Sequence, residues 1–164
     1  MSHFLEHVPN RNDVKDFIRK ACNLSKKFVY IQQPFFDADG YLFDKGYKLF
    51  WSDWKGHPNR MAPLELYLIL RDLKQEGLPI NFSLHAYKRV SNANDPCIHP
   101  LSSKIDRHEY DHNIDPRKNL DNNFDFNIFK ETICLITFSE SSHKEILNKI
   151  RFDHTIFDSL NSPR

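Results

Sequence analysis

Glycine is nearly missing from this chain: there are 4 among 164 residues, and none follows Gly77. Any motif that needs a glycine in the second half is therefore excluded. Cysteine is as sparse. Cys22, Cys97 and Cys134 are far apart, odd in number and without CxxC spacing, which excludes a disulfide framework or a thiolate zinc site and fits a reducing compartment. No apolar run approaches the roughly 20 residues that a membrane-spanning helix needs. The opening MSHFLEHVPNRND lacks the apolar stretch and small-residue pattern of a signal peptide. An excess of one charge is lacking too: the net charge is +1, so no global field draws the chain to nucleic acid or to an anionic membrane. These absences lead us to expect a cytoplasmic protein, one globular domain over residues 1–164, with no membrane partner.

The composition that remains is that of an ordinary globular chain, 40% hydrophobic and 27% charged, with aromatics at 13% and 14 Phe. That length buries a real core without staples. Over 12–26, Val14, Phe17, Ile18, Ala21 and Cys22 fall at the spacing of an amphipathic helix, with Asn12 as its N-cap. KFVYIQQPFF is rich in β-branched and aromatic residues and reads as a strand, with Pro34 placing its second half at an edge or bulge. DADG and DKG read as hairpin turns, making YLF and YKLFW the next strands of a three-strand meander. Pro63 opens a helix that ends at Gly77, and INFSLHAYKRV alternates as a half-buried strand. Residues 91–123 form a long irregular polar loop, a kind of segment that is usually functional or disordered. FDFNIF and TICLITF follow as strands, and Ser142 with Glu145 gives a capping box for a helix over 142–151. The fold class expected is α+β with a mainly antiparallel sheet, in the order α-β-β-β-α-β-loop-β(-β)-α.

Three stretches offer chemistry. FFDADGYLFD resembles the first motif of the haloacid-dehalogenase phosphatases. That resemblance implies Asp37 as nucleophile and Asp39 as acid and base around a magnesium ion. Gln32, Gln33 and Pro34 interrupt the strand that should precede the motif, Tyr41 departs from its usual Thr or Val, and the later glycine-containing acidic motif is missing. Asp and Gly there read as turns. The second stretch, 99–115, holds His99, His108, Glu109, Asp111 and His112, and HEYDH matches the letters of H-E-x-x-H. Asp111 inside it and Pro116 beyond it deny that spacing the apolar helix of a zinc peptidase. His108, Glu109 and His112 remain catalytic candidates, and His99, His108, His112 and Asp111 remain candidates for a divalent metal. Lys104 and Arg107 beside a histidine also suit metal-free phosphodiester cleavage. No cofactor beyond such a metal is expected.

The third stretch is aromatic. Tyr47 and Trp51 share one face of a strand, and Trp54 lies in a loop with Arg60. Together these four are binding candidates, for a protein through hot-spot residues or for single-stranded bases through stacking. With no complete catalytic motif, the main expectation is a non-catalytic protein-binding module such as an immunity protein, antitoxin, inhibitor or chaperone. The element order is similar to that of class I secretion chaperones, although those are acidic and this chain is not. The alternatives are a phosphoester hydrolase using the loop 99–115, or a nucleic-acid-binding protein. The partner expected is another protein, with nucleic acid as the alternative.

Overall fold

A computed structural model describes residues 1–161. A short 3-10 turn at Leu5–His7 precedes helix α1 (Arg11–Leu24), strand β1 (Phe28–Pro34), helix α2 (Asp39–Asp44) and strand β2 (Tyr47–Leu49). Then come α3 (Pro63–Gln75), β3 (Asn81–Asn92), β4 (Ile98–Pro100), β5 (Asn123–Thr137), α4 (Glu140–Leu147) and β6 (His154–Asp158). One four-stranded sheet has the order β1-β5-β3-β6, and β2 pairs with β4 in a second small sheet. Every strand pair is antiparallel. The chain is a mixed α+β fold with an N-terminal helix, antiparallel sheets and further helices, the class its patterning predicts.

The core has two parts. Val14, Ile18 and Cys22 of α1 and Leu66, Ile69, Leu70 and Leu73 of α3 pack on Val29 and Ile31 of β1, with Phe82, Leu84, Cys134 and Ile136 beneath them. The helical spacing of the first two sets and the alternation of the strand residues put all of them on facing surfaces. The second part, around Phe35, Leu42, Leu49, Trp51, Ile98 and Phe129, lies where β3 and β5 extend beyond the helices. Between the two parts β1 forms a sheet edge, as Pro34 predicts, because proline cannot donate to a ladder.

The predicted three-strand meander is corrected. Residues 39–44 form α2, and β1 pairs with β5 from Phe28↔Thr137 to Pro34↔Glu131. Burial of Leu42 in the second core overrides the turn chemistry of DADG. Gly46, at φ +81°, ends α2 in the left-handed conformation that glycine adopts without strain. The two further helices of the expectation thus become three. FDFNIF and TICLITF are one strand, β5, and the tail contributes β6.

Caps shift as well. Asn10, not Asn12, caps α1 through its bond from the Asp13 backbone N–H (2.9 Å). Ser139 caps α4, accepting from Ser142 N, so that helix starts ahead of the predicted box. The irregular loop is real between Leu101 and Asn122, where neither helix nor strand forms. It is tied down by Tyr110 N to Pro96 O (2.8 Å) and by Lys118 Nζ to the carbonyls of Asp95 and Ile98 (3.0 and 2.8 Å). Among the described residues no helix is long and apolar enough to cross a membrane.

Candidate metal centre and its cleft

The first residues of the chain run beside the β1 edge: Gln32 N donates to Met1 O (2.9 Å) and His3 N to Gln32 O (2.8 Å). That pairing delivers the turn Leu5–His7 to the end of the sheet. Asn59 then locks the loop after β2 onto the turn, its backbone N–H on Glu6 O (3.2 Å) and its side chain on Leu5 O (3.3 Å). Glu6, His7 and His57 are thereby drawn together, with one potential ligand atom from each lying within 4.8 Å of the others.

The chemistry of this cluster is unusual for a protein surface. Glu6 is 1% exposed, yet neither carboxylate oxygen has a hydrogen-bond partner. His3 Nδ1 stands 3.4 Å from Oε1. A buried carboxylate without donors costs several kcal/mol in principle, so the fold normally supplies them. The two imidazoles are held from behind. His7 Nδ1–H donates to Gly56 O (2.6 Å), and His57 Nδ1–H reaches toward Trp51 O (3.3 Å). A proton fixed on Nδ1 leaves the Nε2 lone pair to a ligand, which is how metal-binding histidines are oriented. Burial pushes the His57 pKa below its ordinary value, against the opposing pull of Glu6. The ring therefore stays neutral near pH 7, as coordination requires. The group is geometrically compatible with a divalent metal. Two histidines and a carboxylate form a known catalytic zinc set, with ligand atoms about 3.4 Å apart around a tetrahedral ion, so binding would draw the three inward.

These side chains border a cleft of about 620 Å³. The sheet contributes Pro34, Lys88, Lys130 and Glu131, and the loops contribute Phe50, Trp51, Trp54, His108 and Glu109. Lys88 pairs with Glu131 (2.6 Å), which also takes the Gln32 amide, and Lys130 pairs with Asp95 (2.9 Å). Two non-glycine residues of the cleft hold left-handed backbone, His3 at φ +47° and Lys88 at φ +59°. Such conformations cost roughly 1–3 kcal/mol each and gather at functional sites. Cys97 also borders the cleft, but burial pushes its thiol well above the usual range, which removes it as a nucleophile.

Gly56 has a packing role at positions where its neighbours crowd in. A Cβ there would meet Trp54 Cδ1 and Nε1 at 3.1 Å. The indole lies against the glycine whose carbonyl orients His7, and it stacks on His57 with ring centroids 6.0 Å apart and planes at 24°. His108 meets the same indole edge-on at 4.7 Å. Lys55 N donates to Asp106 Oδ1 (2.6 Å), which fastens the long loop here.

The residues singled out in the sequence are dispersed. His108 and Glu109 border the cleft, and so do Trp51 and Trp54. Trp51 is buried, its Nε1–H on Phe35 O (2.9 Å), while Trp54 is half-buried. Tyr47 is buried in the second core and Arg60 is exposed away from the cleft lining. His112 is exposed, and Asp111 accepts from the backbone and side chain of Asn113 (2.9 and 3.0 Å), bonds that hold its carboxyl below the usual range. His99 is fully buried, 3.9 Å from Asp115, and burial lowers its pKa. Among the described residues, His99, His108, His112 and Asp111 do not form a metal-ligating group. Asp39 accepts from Ser52 Oγ (2.6 Å), and neither it nor Asp37 borders the cleft.

Glu6, His7 and His57 were not singled out by their sequence. HFLEH places His3, Glu6 and His7 within five residues, a ligand-rich signal at the start of the chain. Its partner His57 is far along the chain and is identified only by the fold. Comparison with models of known protein families, with curated proteins and with solved structures found no match to this chain.

Proposed function

We propose that this protein is a metal-dependent hydrolase acting on a phosphoester, with Glu6, His7 and His57 holding the ion and His3 beside them. The observation that carries this reading is the buried Glu6 carboxylate without a hydrogen-bond partner, next to two imidazoles braced through Nδ1. A non-catalytic binding module needs no such group and leaves that carboxylate unexplained. A divalent ion in this set supplies Lewis acidity toward a phosphoryl oxygen and toward water. In hydrolysis, the water oxygen forms a new bond to phosphorus, one ester P–O bond breaks, and the water's proton ends on the leaving oxygen. His108 and Glu109, on the same cleft, are the acid–base candidates for that transfer. Lys88 and Lys130 border the same cleft, each already paired with a carboxylate, Glu131 and Asp95.

The test is zinc titration of metal-free protein, followed by native mass spectrometry and an assay on p-nitrophenyl phosphate esters. One ion per chain and ester hydrolysis, both lost in Glu6→Gln, support the reading. Equal zinc binding by the variant, or a loaded protein that hydrolyses none of the esters, refutes it.

A further inference from the structure

Resting on the metal site of that reading, we propose that His3 is a fourth ligand, one that closes the coordination sphere at rest and gives way to substrate. Glu6, His7 and His57 supply three ligand atoms. Three protein ligands leave a catalytic ion one open position, whereas four make the closed sphere of a structural site. Which of the two this centre presents depends on His3.

The backbone aims this residue. Ser2 bridges to Gln32 on the β1 edge, and His3 N donates to Gln32 O (2.8 Å). At His3 the chain leaves that edge in left-handed backbone, at φ +47°. The turn leads into Leu5–His7 and sets the imidazole on the wall of the cleft with the three ligand candidates. Its Nδ1 stands 3.4 Å from Glu6 Oε1.

An ordinary ion pair is the competing account, and the distance speaks against it. A histidine placed to pair with a carboxylate closes to about 2.7–2.9 Å, yet neither oxygen of the buried Glu6 has a hydrogen-bond partner. A separation of 3.4 Å is that of two ligand atoms on one tetrahedral zinc. His3 lies outside the group whose ligand atoms all fall within 4.8 Å of one another, so it reaches the ion by rotating about its side-chain bonds. The ring can turn: 49% of the side chain is exposed, and it makes no hydrogen bond among the described residues. The same freedom lets it leave. His7 and His57 are held through Nδ1 by the carbonyls of Gly56 and Trp51, which makes them the permanent ligands and His3 the exchangeable one.

The experiment uses the full chain, metal-free and then loaded with zinc or cobalt(II). His3→Asn removes the imidazole but keeps a residue that tolerates left-handed backbone. His3→Cys offers a thiolate instead, whose longer bond to the metal offsets its shorter side chain. Zinc affinity, read by competition with a chelating dye, should fall on the order of tenfold or more in His3→Asn. The visible bands of the cobalt protein should weaken in that variant, because four-coordinate cobalt absorbs far more strongly than cobalt carrying extra water. Cobalt-loaded His3→Cys should gain a sulfur-to-cobalt charge-transfer band in the near ultraviolet. Zinc-saturated His3→Asn should hydrolyse p-nitrophenyl phosphate esters faster than the unaltered chain, since its open position is never closed. Unchanged affinity and cobalt bands in His3→Asn, with no sulfur band in His3→Cys, overturn the proposal and leave the three-ligand hydrolase reading standing. Slower hydrolysis by the saturated variant overturns the exchange. If the unaltered chain binds no zinc, the hydrolase reading fails and the ligand assignment fails with it.

Discussion

Two groups of histidines in this molecule live under opposite rules. Under α4, His85 is fully buried, with Nε2 against Ser83 Oγ (2.8 Å) and Nδ1 against Thr155 Oγ1 (3.1 Å). His143 beside it has Nδ1 against Thr137 Oγ1 (3.0 Å), and its Nε2 faces Asp158 Oδ1 at 3.4 Å. Every ring nitrogen there has a polar neighbour supplied by the fold. At the other group, His7 and His57 are satisfied on one side only, and Glu6 between them accepts no hydrogen bond. In the first arrangement three of the four ring nitrogens are hydrogen-bonded within the protein, and His143 Nε2 has only its ion-pair neighbour. In the second, both Glu6 oxygens accept no hydrogen bond and the group is geometrically compatible with a divalent metal. Histidine content does not distinguish the two regions; what does is a buried carboxylate with neither oxygen hydrogen-bonded, set among imidazoles braced through Nδ1.

The comparison breaks most sharply at Glu6. Glu6→Gln should weaken zinc binding by about 100-fold or more, since it removes a ligand outright where even supporting residues cost 10–100-fold. In metal-free protein the same change should raise stability by about 1–3 kcal/mol, because a buried carboxylate that accepts no hydrogen bond is gone. Urea unfolding with and without zinc measures both. A variant that is destabilised without metal would place Glu6 with the self-sufficient group.

The next effect is on pH. Burial pushes His85 from 6.5 down to about 4, and His143 is also lowered by burial, against the pull of Asp158. Between pH 6.5 and 4 the unfolded chain takes up a proton on His85 that the folded chain refuses. Stability is therefore fully present above pH 6.5 and falls as the pH drops through this window, by roughly 3 kcal/mol for His85 alone. Urea midpoints at pH 7.5, 6 and 5 check the direction, and His85→Gln should flatten that slope. A stability independent of pH across the window would mean that the ring is charged in the fold.

The smallest expected effect is at Gly56. Gly56→Ala brings a methyl to within 3.1 Å of the Trp54 indole, so the indole or the carbonyl that orients His7 must move by a few tenths of an ångström. Zinc affinity should fall by up to about tenfold, the range for an orienting neighbour, with stability nearly unchanged. Unaltered affinity would show that the Gly56 carbonyl does not hold His7 in a binding orientation.

Much of the frame was legible in the chain. The stripe from Val14 to Cys22, the Pro63 helix start and the strand at INFSLHAY each form where local periodicity places them, but the strand is not half-buried as its alternation predicts, because Ser83 and His85 are buried on its other face. DADG was misleading because turn propensity is worth little against burying Leu42. The cleft was only half legible. His108, Glu109 and Trp54 stand out in sequence because each sits in a cluster of its own kind, whereas His57 is an isolated histidine in a polar loop. The dense histidine signal of 99–115 is scattered instead, with His99 turned into the interior and His112 toward solvent.

Sequence by itself determined the α+β class, the antiparallel strands and the edge position of β1, because periodicity and proline act over a few residues. Tertiary structure alone decided that the start of the chain runs beside β1 and that Asn59 clamps His57 over Glu6. Those contacts join segments some fifty residues apart. Whether a buried carboxylate finds a donor depends on the packing of both segments, which no local pattern records.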